Sequence, residues 1–172
     1  MRKTAIWLML AMLCLALCVP AVHAETRQGA IWREGMKEAI EETLFERPEG
    51  YSFWYAAAAV KAEATGDGVT VTSLELGDQM TLTVIPEEEA RACAAATGLN
   101  LAEAEAAGRV QADLSCELQE GSWHFVTLIA EGGHYLRAEG SYAMEAADGL
   151  AKYFQLVINS VTFLPEGQPQ AE

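Results

Sequence analysis

The sequence is short of nearly everything that would announce a chemistry. It holds no G-x-S-x-G elbow for a nucleophilic serine, no phosphate loop, no G-x-G-x-x-G, no H-E-x-x-H and no C-x-x-C. Asp67 and Asp78 sit in glycine turns but lack the regular acidic spacing of a calcium loop. Histidine is scarce: of 3 in 172 residues, only His124 and His134 lie beyond residue 24. Positive charge is scarce too, with 11 Lys and Arg against 25 Asp and Glu. That balance opposes binding to nucleic-acid phosphates or anionic membranes. Of the 4 cysteines, only Cys93 and Cys116 lie beyond residue 24. Past that point, no apolar run approaches the ~20 residues of a membrane span, so stable membrane insertion is not expected there.

The first 24 residues stand apart. Arg2 and Lys3 precede an apolar run from Ala5 to Val19, followed by Pro20 and then Val22-His23-Ala24. This three-part order is that of a secretory signal peptide, with cleavage expected between Ala24 and Glu25. Cys14 and Cys18 follow Leu13 and Leu17, not the small residue that lipoprotein processing wants. A free secreted or periplasmic protein is therefore expected. Without Arg2 and Lys3 the remainder carries 25 acids and 9 bases, net −16. In an oxidising compartment Cys93 and Cys116 would be able to pair. The bridge would close a loop of about 22 residues, worth on the order of 3 kcal/mol. Two separate thiols is the other reading.

The most legible stretch is residues 122–164. Gly132-Gly133 separates two runs rich in aromatic and β-branched residues, a hairpin signal. With those glycines as the loop, Glu131 faces His134, Ile129 faces Leu136, Phe125 faces Gly140 and Trp123 faces Tyr142. His124, Val126, Leu128, Tyr135, Arg137 and Glu139 share the opposite face. Both faces are apolar enough to predict a sheet covered on both sides. The two histidines point opposite ways, so they should not share a metal. From Met144 the period changes. Met144, Ala147, Leu150, Ala151, Phe154, Val157 and Ile158 trace one stripe of a helix. A last strand is expected over residues 161–164, then a disordered tail over 165–172.

Upstream, residues 25–42 read as a lead-in, with Ile31 and Trp32 able to dock on the core. A strand is expected over residues 43–46. Arg47-Pro48-Glu49-Gly50 turns it into the aromatic strand Tyr51-Ser52-Phe53-Trp54-Tyr55. A second hairpin spans 60–65 and 69–76 around Gly66-Asp67-Gly68, and another strand covers 80–85. Pro86 opens a helix with Glu87, Glu88 and Glu89 at its positive end. Asn100 caps a short helix, with Glu103 in the capping-box place. In residues 109–119, Val110, Ala112, Leu114, Cys116 and Leu118 alternate with polar residues, so all five are predicted to face one way.

The order is that of an α+β protein, an antiparallel sheet with helices packed on it, built as a single domain over residues 43–164. PEGYSFWY on an early strand, a helix in mid-chain, and GHYLRAEGSY leading to a helix that ends NSVTF resemble the PsbP family. That family comprises the extrinsic subunit of photosystem II and its bacterial relatives. The resemblance covers roughly residues 47–164. The opening EGMKEAIEETLFERPEGYSFWY is similar to small uncharacterised exported proteins of gut Firmicutes. The PsbP resemblance implies a binding or accessory role with no shared catalytic set, so it carries no functional residues onto this chain. No cofactor is implied.

Function is therefore read from what remains. The first expectation is a secreted, non-catalytic binding or accessory protein whose partner is a protein or a small ligand. The alternatives are an extracytoplasmic hydrolase using scattered carboxylates and a structural envelope component. Tyr51, Phe53 and Tyr55 share one strand face, and Trp54 points opposite. Trp54 and Tyr135 are the candidates for an exposed aromatic binding surface.

Overall fold

The computed structural model describes residues 24–164 apart from Glu34 and Glu49. The expected signal peptide, apart from Ala24, and the expected tail over residues 165–172 lie outside the described residues. Among the described residues, ten strands and three α-helices follow in order. They are β1 (Thr26–Arg33), β2 (Met36–Arg47), β3 (Tyr51–Tyr55), β4 (Val60–Thr65), β5 (Gly68–Ser73), β6 (Gln79–Val84), α1 (Glu87–Ala96), α2 (Leu101–Ala106), β7 (Val110–Gln119), β8 (Ser122–Glu131), β9 (His134–Ala143), α3 (Ala147–Ser160) and β10 (Thr162–Phe163). A single 3-10 turn, Met144–Ala146, leads into α3.

The fold is α+β, as the order of elements predicts, but the strands divide into two antiparallel sheets. One has four strands in the order β1-β2-β3-β10, the other six in the order β4-β5-β6-β9-β8-β7. The β8–β9 register is the expected one. Glu131 pairs with His134, Ile129 with Leu136, Phe125 with Gly140 and Trp123 with Tyr142. Gly132 and Gly133 take φ of 60° and 84°, the left-handed values such a loop demands. The last strand joins the sheet of residues 43–46, pairing Thr162 with Ser52 and Phe163 with Tyr51.

The six-stranded sheet is covered on both faces, over part of its area. One face presents Val69, Val71, Met80, Leu82, Ile129 and Leu136 to Tyr51 and Phe53 of β3 and to Leu150, Phe154 and Val157 of α3. Phe45 stacks on Phe53 at 5.1 Å between ring centroids. On the other face, Leu128, Ala130, Tyr135 and Val110 lie under Ile85, Ala90 and Ala94 of α1 and Leu101 of α2. Glu89 of α1 takes an ion pair from Arg137, which fastens the helix to the sheet. The remainder of that second face, by register, is a polar array of Thr70, Thr72, Thr81, Ser141 and His124.

Two expectations are corrected. Residues 25–42 are not a lead-in. Thr26–Arg33 pairs along its whole length with residues 36–43. The backbone ladder satisfies its own polar groups, so the hairpin needs little apolar alternation to form. Ile31 docks on the core at 6% exposure, whereas Trp32 stays 64% exposed.

The second correction concerns β7. Its register shifts between Asp113 and Ser115. Val110 and Ala112 pair with Ala130 and Leu128, on the face under α1 and α2. Beyond the bulge, Cys116 and Leu118 pair with Phe125 and Trp123, on the opposite face. An inserted residue turns every later side chain over, which no alternation pattern reveals.

Candidate functional site

The bulge decides the cysteines. Cys93 sits half-buried on α1, above one face of the sheet, and Cys116 is exposed on the other. The structure does not bring the two thiols together. The sheet stands between them.

The candidate aromatic surface also divides. Tyr135 is only 6% exposed, sealed in the core beneath α1 and α2. Burial raises its pKa above the usual tyrosine value, and a hydrogen bond to Glu105 adds to the effect. It is a core residue and offers no surface. Trp54 is half-buried, with the Arg27 guanidinium stacked 4.2 Å from its ring centroid. Arg27 also donates to Glu42 at 2.6 Å, and Glu42 is itself buried. The Trp54 backbone N–H donates to Ser160 Oγ at 2.8 Å, tying β3 to the end of α3. These bonds make Trp54 a joint between β1, β3 and α3.

His124 lies on the open polar face with Ser141 opposite. His134 lies on the other, where its ring stacks on Phe163 at 5.5 Å. The Glu131–His134 hairpin tip is thus pinned to β10 instead of being freely solvated. Among the described residues, no three His, Cys, Asp or Glu side chains come close enough to hold a metal together.

What the sequence did not single out is a cleft of about 500 Å³. Ile31 of β1, the β5–β6 loop, and Leu150 and Tyr153 of α3 line it. Leu74 and Leu76 on that loop are 57% and 55% exposed. The loop is not loose. Leu74 N–H donates to the Ala59 carbonyl at 3.0 Å, Ser73 N–H to the Asp78 carbonyl at 2.8 Å and Gly77 N–H to the Ser73 carbonyl at 3.1 Å. Leu76 N–H donates to Ser73 Oγ at 3.2 Å. The backbone therefore holds both leucines in water at the rim of a cleft lined by polar and apolar groups alike. Residues 69–76 read as one strand, but their apolar positions change phase, from Val69 and Val71 to Leu74 and Leu76. The strand stops at Ser73, where that slip and the turn chemistry of Gly77-Asp78 both point.

No protein-family model and no curated protein matches the chain. Among solved structures it is similar to PsbP. One match is the solution structure of cyanobacterial PsbP (CyanoP) from Synechocystis sp. PCC 6803, with 12% identity and a TM-score of 0.38. It covers 85% of this chain and 96% of that one. The likeness is one of outline and transfers no residue roles. Among the described residues, no helix is long and apolar enough to cross a membrane.

Proposed function

We propose that this is an exported protein that works by binding a partner at the Leu74–Leu76 cleft, without catalysis. One observation carries the reading: two leucines are held more than half exposed by a hydrogen-bonded loop, at the rim of the cleft. Burying them would gain roughly 25 cal/mol per Å² of apolar area. A rigid loop adds little ordering cost on binding, so more of that gain appears as affinity.

Export is supported by the three-part order of the first 24 residues. The acid excess favours a protein or small-ligand partner over nucleic acid. Intact-mass measurement of the protein recovered outside the membrane should give a chain starting at Glu25. A chain still starting at Met1 would refute the leader reading. For binding, a partner recovered with the wild type should be lost with Leu74→Asp/Leu76→Asp, while circular dichroism stays unchanged. Undiminished binding by that variant would move the site elsewhere.

A further inference from the structure

We infer that the occupant of this cleft is a basic amphipathic segment of another polypeptide, with apolar side chains alternating with lysine or arginine. The inference rests on the cleft being the binding site. Its support is charge placed around the two exposed leucines. Glu75 stands between Leu74 and Leu76, and Glu145 lines the cleft from the turn before α3. Among the described residues, Lys152 is the one cation in the lining. The whole chain repeats that imbalance, with 25 acids to 11 bases. A positively charged segment is drawn by the overall field and then meets carboxylates on two sides. An acidic one is repelled at both stages.

The shape favours a segment over a compact small molecule. Small ligands bind where walls enclose most of their surface. Here the two leucines at the cleft's edge are more than half exposed, with Glu75 between them and Glu145 also in the lining. An elongated segment can cover both leucines while its basic residues reach Glu75 and Glu145. The polar face of the six-stranded sheet offers mainly hydroxyls, with Val126 its one half-buried apolar residue beside His124 among the described residues.

The test uses the protein as its producing cells process it. The probes are three short peptides with the same leucine positions and Lys, Gln or Glu at the polar positions, together with anilinonaphthalene sulfonate. Amide and methyl resonances of Ile31, Leu74, Leu76 and Tyr153 report where each probe sits. The Lys peptide should bind at those residues about fivefold more tightly than the Gln peptide, with the Glu peptide weakest. The preference should shrink at high salt. Glu75→Lys/Glu145→Lys should reverse the order of the peptides, and Lys152→Glu should strengthen the Lys peptide. Both glutamates are exposed, and circular dichroism checks that the variants fold.

Equal or tighter binding of the Gln or Glu peptide at the cleft would overturn the basic-segment inference and leave the cleft as the site. So would concentration-dependent shifts at the same residues with dimer in sedimentation, because the occupant would then be a second copy. Binding of the naphthalene dye alone at the cleft would likewise overturn it, in favour of a small apolar ligand. If no probe moves those resonances, the cleft itself is not the site and both readings fail.

Discussion

Two hairpins of this protein are built on opposite terms. The β8–β9 hairpin sits inside the six-stranded sheet, with Ile129 and Leu136 on one face and Leu128 and Ala130 on the other, all fully buried. The β1–β2 hairpin lies at the end of the smaller sheet. Its tip carries Trp32 and Met36 at 64% and 68% exposure. The first is specified by burial, and its alternation is visible in the sequence. The second is specified by pairing to a neighbouring strand, with Ile31 in the core, Phe45 on Phe53 and Arg27 on Trp54 as its tertiary anchors. Burial-driven strands announce themselves, whereas strands recruited by a partner do not.

The comparison can be broken by mutation. Leu136→Ala should lower stability by about 2–5 kcal/mol, read as a fall in the urea midpoint. Trp32→Ala should stay within about 0.5 kcal/mol. Equal losses would mean the outer hairpin is as integral as the inner one.

Glycines sharpen the same contrast. A Cβ at Gly140 would lie 2.7 Å from the Gln79 carbonyl oxygen and 2.9 Å from Met80 Cα, both backbone atoms of the adjacent strand. Gly140→Ala should cost about 1–3 kcal/mol, because β6 cannot step aside. At Gly29 the obstacle is the Glu42 side chain, whose Oε1 would meet the added Cβ. Gly29→Ala should therefore be largely relieved by adding Glu42→Ala, measured as non-additivity in a double-mutant cycle. No such partner should rescue Gly140→Ala.

A smaller effect appears at high pH. Burial raises the pKa of both Tyr135 and Tyr142, on β9. The folded state then holds these protons more tightly than the unfolded chain. Their contribution is complete below the unfolded tyrosine pKa of about 10 and is lost as pH rises through the folded values. Alkaline destabilisation should therefore run through the inner hairpin. Tyr135→Phe should cost about 1 kcal/mol at neutral pH, from its bond to Glu105, and flatten part of the alkaline fall in urea midpoint. An unchanged alkaline limb would exclude Tyr135 as its source.

The least disruptive measurement is thiol labelling. Both Cys93 and Cys116 should react with iodoacetamide without prior reduction, Cys116 first because it is exposed. A mass lower by two hydrogens and no labelling would show a bridge across the sheet.

Much of the fold was legible where local chemistry and burial agree. Pro86 opens α1, and the Asn100 side chain accepts from the Glu103 N–H at the start of α2. Leu150, Phe154, Val157 and Ile158 are buried on α3 as their spacing requires. The candidate site was far less legible. Tyr135 as an isolated aromatic is equally suited to a surface and a core, and only the placement of α1 and α2 over it decides. Leu74 and Leu76 fall out of phase with Val69 and Val71, which marks the end of the strand but not the cleft that the loop builds with α3.

By itself, then, the sequence determined the antiparallel α+β character, the β8–β9 register and the identity of the helices. Each follows from the chain's own periodicity or from residues close in sequence. The tertiary structure alone decided the division into two sheets, the recruitment of β1, the bulge that parts Cys116 from Cys93 and the cleft at Leu74. Those features depend on contacts between residues far apart in the chain, and a linear pattern does not record which distant strand or helix will cover a given face.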